Sequence, residues 1–326
     1  MSENPPLKRQ RTDDAQEDAE TQPLQRSRFW FDDGNVILQA ENTQFRVHRS
    51  VLSLHSNVFK DMFSVPQPTD PTTMSIADGC PVITLSDKAS DLEYVLSVFY
   101  ENIRAQGMLG LMPVDLVVAI IRLGKKYEID YLCDEGLKRL RVEFPNTLEK
   151  WDTSCHDYSQ IKFDGQWEIS KVLQLCCELS IPSCLPTAYL LFVTRCELES
   201  IMNMFGGSTV DRQIIVQSVR GRDKLIRAYH EVLQGWTEEK LLYPSQHCSS
   251  ILLCSREKVL ACRSCLSIED GNMRPLDPWD ETDFDLCKPC LDSLRVAYEK
   301  AREKFWADLP SFFGLLPWEK LKDFDA

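Results

Sequence analysis

The segment from Phe29 to Phe63 constrains the fold more than any other part of the chain. Val36-Ile37-Leu38 is a short β-rich run, Glu41-Asn42-Thr43 is a polar turn, and Phe45-Arg46-Val47-His48 alternates apolar with polar residues. Two such runs about a polar turn predict a hairpin with one face turned inward. From His48 onward the period changes. Val51, Leu52, His55, Val58, Phe59, Met62 and Phe63 recur at three- and four-residue spacing, as on a helix that buries one side. The expected core of this segment is Phe45, Leu52, Phe59, Met62 and Phe63. It holds no nucleophile motif and no phosphate loop, so it reads as an interaction scaffold rather than a reaction site.

The rest of the first half continues the α+β pattern. Residues 65–79 are rich in Pro, Thr and Asp and read as a loop. Val82-Ile83-Thr84-Leu85 is a third strand. Helices follow over Asp87–Glu101, with Leu92, Val95, Leu96 and Phe99 on one face, from Pro113 through Leu123, and over Ile129–Phe144.

The eight residues Phe45, His48, Arg49, Leu52, Ser56, Phe59, Met62 and Phe63 fit the pattern Phe-x-x-His-(Arg/Lys)-x-x-Leu followed by Ser-x-x-Phe-x-x-Met-Phe. That pattern resembles the opening of a BTB/POZ domain, and the resemblance extends over residues 29–144. It implies a three-stranded sheet flanked by about five helices over residues 28–145, followed by a mostly α-helical domain over 146–326. It also implies a non-enzymatic adaptor, since BTB domains in general dimerise, recruit cullin-type ubiquitin ligases or recruit transcriptional co-regulators. Many dimeric BTB domains resemble one another in a helix ahead of the first strand. Here Phe29-Trp30-Phe31 directly follows a polar tail, which implies a monomer or a weak homodimer.

Composition narrows the function classes. A chain of 326 residues, 43% hydrophobic, has material for about two domains. A net charge of −13 disfavours a chain-wide nucleic-acid surface, because phosphate binding needs a concentrated positive field. The longest apolar runs, Leu116–Ile121 and Ala188–Val193, fall far short of the roughly 20 residues that span a bilayer, so no membrane partner is expected. No charged-then-apolar leader precedes the first strand, and an intracellular location is expected. Thirteen cysteines, an odd number with Cys176 and Cys177 adjacent, fit reduced thiols better than a disulfide framework. Residues 1–27 are too polar to offset the entropy of ordering. Within them Pro5-Pro6-Leu7-Lys8-Arg9-Gln10-Arg11 reads either as a nuclear-import signal or as a solvated basic tail.

In the second half, residues 167–180 and 183–195 read as helices separated at Pro182, residues 211–236 as a longer amphipathic helix, and residues 288–309 as a helix stopped by Pro310. Six cysteines fall between 248 and 290. Cys262-x2-Cys265 and Cys287-x2-Cys290 each have the spacing of a chelating pair, and four thiolates satisfy tetrahedral zinc. Residues 255–266 also read as a helix on which Cys262 and Cys265 are buried thiols, so Cys248 and Cys254, flanking a short apolar loop, are the alternative partners for Cys287 and Cys290. The run from Cys248 to Trp318 resembles the C-terminal region of BTB proteins abundant in mushroom-forming fungi. That resemblance implies Cys248, Cys254, Cys287 and Cys290 as the set. A cysteine-rich core without an ion is the competing reading.

Catalytic patterns are thin. Neither nucleotide-binding glycine motif occurs, no Gly-x-Ser-x-Gly elbow exists, and His230-Glu231 lacks a second histidine four residues on. His48 reads as a packing residue at a strand-to-helix junction. No catalytic residue or organic cofactor is expected. A second reading, a nuclear DNA-associated regulator with a zinc-stabilised C-terminal module, draws on the basic cluster, the cysteines and the cations Arg212, Arg220, Arg222, Lys224 and Arg227. Those five also fit the solvated face of an amphipathic helix.

Overall fold

A computed structural model of the chain describes residues 23–65, 75–101, 110–154, 158–203, 207–237, 244–257, 276–278 and 285–324. The described residues up to His48, with those from 75 to 89, form one compact unit, and all others form a second.

The first unit is a sheet. Strands β1 (Gln25–Trp30), β2 (Val36–Ala40), β3 (Thr43–Val47), β4 (Ile76–Ala77) and β5 (Cys80–Leu85) lie in the order β1-β3-β2-β5-β4. The hairpin β2–β3 forms as its pattern requires: Leu38 faces Phe45 and Ala40 faces Thr43 across an antiparallel ladder. Phe45 and Val47 are fully buried while Gln44 and Arg46, which alternate with them, are not, the two-residue period of a one-sided strand. Strand β5 joins β2 in parallel, and β1 adds to β3 in parallel. Two strands, β1 and β4, therefore widen the three-stranded sheet read from the sequence. Neither carries an alternating apolar run; Gln25-Arg26-Ser27-Arg28 is held by backbone pairing, to which periodicity is blind. His48 sits where β3 ends. Its Nε2 lies 3.2 Å from an Asp33 carboxylate oxygen and its ring 5.3 Å from that of Phe31, a packing role.

The second unit is helical. Helices α1 (Arg49–His55), α2 (Asn57–Ser64), α3 (Ala89–Tyr100), α4 (Val114–Lys126) and α5 (Asp130–Glu143) are built around α4, in which nine of thirteen residues are buried. A Cβ on Gly136 would come within 2.4 Å of Ile121, and one on Gly124 within 2.9 Å of the Cys133 backbone, so these glycines let α4 and α5 cross closely. The signature serine caps α2. Its hydroxyl accepts from the Phe59 N–H at 3.0 Å and donates to the Tyr127 carbonyl at 2.7 Å. Phe59, 2% exposed, stacks on Tyr127 at 4.4 Å.

Phe45, Leu52 and Phe59 are buried as expected, but Met62 and Phe63 are only half-buried. Both lie in the last turn of α2, which ends at Ser64, and the Phe63 ring meets the Phe59 ring at 6.0 Å and the Arg49 guanidinium at 5.6 Å, the latter leaving it partly open to water.

Beyond α5 come α6 (Leu148–Ser154), α7 (Ile169–Glu178), α8 (Leu185–Arg195), α9 (Leu198–Asn203), α10 (Thr209–Thr237), a helix α11 whose described residues are 251–257, and α12 (Lys288–Phe312). Two-residue strands β6 (Met112–Pro113) and β7 (Ile161–Lys162) pair in parallel. Two buried charges of α5 hold the β7 segment: the Glu143 carboxylate accepts from the N–H groups of Ser159, Gln160 and Ile161, and Arg139 donates to the carbonyls of Gly110 and Gln160.

Pro310 does not stop the last helix. It lies inside α12, which continues to Phe312. A proline leaves the carbonyl four residues earlier without its helical donor. Here that carbonyl, of Trp306, accepts instead from the Trp318 indole N–H at 2.8 Å, and the two indoles stack at 5.0 Å. The orphaned acceptor is satisfied, so the helix tolerates the ring.

Candidate metal centre

Four cysteines converge in the second unit. Cys248, Cys254, Cys287 and Cys290 place their sulfurs within 4.8 Å of one another. Among the described residues no other group of three or more His, Cys, Asp or Glu gathers in this way. Cys262 and Cys265 lie outside the described residues, as does the greater part of the helix expected over 255–266.

Each half of the cluster has a local cause. Cys287 is the N-cap of α12 and Cys290 lies in its first turn, with the Cys290 and Leu291 N–H groups both donating to the Cys287 carbonyl at 2.9 Å. One helical turn carries Cys290 round to the side of Cys287, and Pro289 in that turn needs no helical donor. On the other half, the Cys248 N–H closes a turn onto the Ser245 carbonyl at 2.9 Å. Helix α11 then starts between the two cysteines, with the Cys254 N–H bonded to the Ser250 carbonyl at 2.9 Å. A five-residue gap is wide for a flat knuckle, and the first turn of α11 takes up the excess length.

The electrostatics suit thiolates. Main-chain N–H groups point at the sulfurs: Ser245 donates to Cys290 Sγ at 3.3 Å, and Cys287 donates to Cys254 Sγ at 3.5 Å. The N–H groups of Cys290 and Ser249 pull the Cys287 thiol down to about 6, as expected at a helix N-terminus. Burial pushes the Cys254 and Cys290 thiols up, which is the desolvation a bound cation would offset. Cys254 and Cys290 are fully buried, while Cys248 and Cys287 are partly exposed.

The cluster could hold a metal ion. A tetrahedron with Zn–S bonds of about 2.3 Å has sulfur–sulfur edges of roughly 3.8 Å. The Cys248 and Cys287 sulfurs are 3.7 Å apart. All four expected ligand residues are brought together. The supporting shell was hard to read, because the N–H groups of Ser245, Ser249, Cys287 and Cys290 that point at the sulfurs are main-chain groups that any residue type would supply, with the Ser249 side chain adding a donor of its own.

The N-terminal half can be placed among known proteins. Residues 25–141 match the family model of the BTB/POZ domain. This part of the chain is a BTB domain. It carries the curled sheet and helices described above, and a mostly helical C-terminal region follows it. BTB domains are generally non-enzymatic modules that mediate protein–protein interaction and dimerisation. Neither the comparison with curated proteins nor that with solved structures finds a match. Among the described residues no helix is long and apolar enough to cross a membrane.

Proposed function

We propose that the protein is a non-enzymatic adaptor that recruits protein partners, or a second copy of itself, through its BTB domain, and that its C-terminal region is stapled by one zinc ion on Cys248, Cys254, Cys287 and Cys290. The family match over 25–141 carries the first part. The convergence of four sulfurs, with one pair at the edge length of a zinc–thiolate tetrahedron, carries the second. The likeness of the Cys248–Trp318 run to BTB proteins of mushroom-forming fungi is in keeping with both parts. The domain scheme is a BTB unit over 28–145 and a helical domain over 146–326.

Affinity capture with the full chain, set against a chain lacking residues 29–144, tests the adaptor role. Partners should be lost with that segment, and an unchanged set would overturn the reading. Sedimentation over a range of concentrations tests self-association, where a weak homodimer is expected. The Pro5–Arg11 cluster lies outside the described residues, and its proposed role is nuclear import. Replacing Lys8, Arg9 and Arg11 by Ala in a fluorescent fusion should shift it towards the cytoplasm.

The cysteine cluster also fits the DNA-associated reading, but the cations of α10 favour the adaptor. Arg222 donates to the Val193 and Cys196 carbonyls, Lys224 donates to the Ser311 carbonyl at 3.1 Å, and Arg227 pairs with Asp223 at 3.0 Å. Three of the five cations that would meet phosphates already have partners within the fold.

A further inference from the structure

We propose that Cys248 and Cys287 form a redox-responsive pair, which a peroxide joins in a disulfide and so ejects the metal from the centre. The proposal rests on the reading of the cluster as a zinc site.

Exposure singles out this pair among those the cluster offers, and its distance and its placement on two segments allow the bond. Its two sulfurs are 3.7 Å apart, and closing them to the roughly 2.05 Å of a disulfide needs less than 2 Å of movement. Cys248 and Cys287 are partly exposed, whereas Cys254 and Cys290 are fully buried, so a dissolved oxidant meets the first two. The two also lie on separate segments, one in the turn before α11 and one at the N-cap of α12. A bond between them tethers the halves of the cluster where the metal had done so.

The chemistry balances with hydrogen peroxide as oxidant. Whichever thiolate is struck first attacks a peroxide oxygen, the O–O bond breaks, and a sulfenic acid forms as water leaves. The second thiolate attacks that sulfur, forms the S–S bond and displaces hydroxide, which takes up a proton. Two thiolates, one peroxide and two protons give one disulfide and two waters; sulfur is oxidised by two electrons and oxygen is reduced by two. Zinc loses two of four ligands, and Cys254 with Cys290 cannot complete a tetrahedron alone. Among the described residues of α11 Cys254 alone is buried, so metal loss loosens that segment while the tether persists.

The test treats zinc-loaded full-length protein with hydrogen peroxide, follows released zinc with a chromogenic chelator, and maps disulfides by mass spectrometry without reduction. The expected result is about one zinc released per chain, in step with a Cys248–Cys287 crosslink, both reversed by a thiol reductant and added zinc. Cys177, the remaining partly exposed cysteine among those described, serves as control, and Cys177→Ser should release zinc and form the crosslink as the parent does. A first disulfide between Cys287 and Cys290, or one that includes Cys254, would overturn the proposal. So would zinc release with sulfinic acid and no crosslink, or zinc retained after the two exposed thiols are oxidised. Protein that takes up no zinc before peroxide is added would sink the metal reading itself, and the two failures are thereby told apart.

Discussion

In α4, nine of thirteen residues are buried; among the described residues of α11, Cys254 alone is, while Ile251, Leu252 and Leu253 are 63%, 90% and 45% exposed. Both carry apolar runs by sequence, Ile-Leu-Leu in α11, read as a short loop, and Val-Val-Ala-Ile-Ile in α4, read as a helix face. The difference lies in what each helix can pack against. Helix α4 crosses α5 at two glycines and gathers apolar side chains along most of its length, each worth about 1.5–3 kcal/mol when taken from water. Helix α11 turns its aliphatic side chains to solvent and its one thiol inward. Burial in the BTB helices is spread over many side chains, whereas in the described part of α11 it falls on one thiol of the four-cysteine cluster.

The largest expected effect follows from that contrast. Removing the metal with a strong chelator, or replacing Cys254 by Ser, should abolish protection of amides 244–257 in hydrogen exchange and leave those of 114–143 unchanged. Structural zinc contributes apparent binding free energies of about 10–16 kcal/mol in small domains. Equal protection in both regions with and without metal would dissolve the comparison.

Next is Phe59→Ala, at the other pole. Phe59 is 2% exposed and stacked on Tyr127, and truncating a buried Phe costs about 3–5 kcal/mol. The melting temperature should drop by many degrees with zinc content intact. A lower zinc content in this variant would mean that the two regions unfold as one.

The sequence was most readable where a period is imposed by burial. The hairpin, the face of α2 carrying Phe59 and the helices α4 and α5 follow from spacing alone, because each buries one side against many neighbours; the close crossing of α4 and α5 at Gly124 and Gly136 emerges only in the fold. It was least readable where a single group stands in for a missing one. Pro310 reads as a stop, and only the fold brings Trp318 back over the Trp306 carbonyl. Met62 and Phe63 share the apolar period of Phe59, yet periodicity does not record that their helix ends one residue later. For the cysteines, spacing allows two pairings with Cys287 and Cys290, and spacing holds no sign of the turn in α11 that shortens a five-residue gap.

A smaller effect is electrostatic. Burial pushes the Glu143 carboxyl above its ordinary value of 4.5, against three N–H donors that pull the other way. A carboxyl raised in the folded state contributes stability that is fully present below its unfolded value and is lost as pH rises through the folded one. Glu143→Gln keeps an acceptor for the three N–H groups and removes the titration. The gap in melting temperature between parent and variant should therefore shift against the parent as pH rises from below 4.5 through the folded value. A gap independent of pH would show that the N–H donors cancel the burial.

The smallest effect completes the comparison. Leu252 is apolar and lies on a helix between two candidate ligands, yet at 90% exposure it has almost no surface left to expose on unfolding. Hydrophobic stabilisation scales with area removed from water, so Leu252→Ser forfeits little of it, and surface changes of this kind usually stay within about 0.5 kcal/mol. Serine also forms helix slightly less readily than leucine, a few tenths of a kcal/mol at most. Melting temperature and zinc content should both match the parent within error. A loss approaching that of Phe59→Ala would mean that α11 is held by apolar contact after all, and that the four sulfurs share the work of keeping it in place.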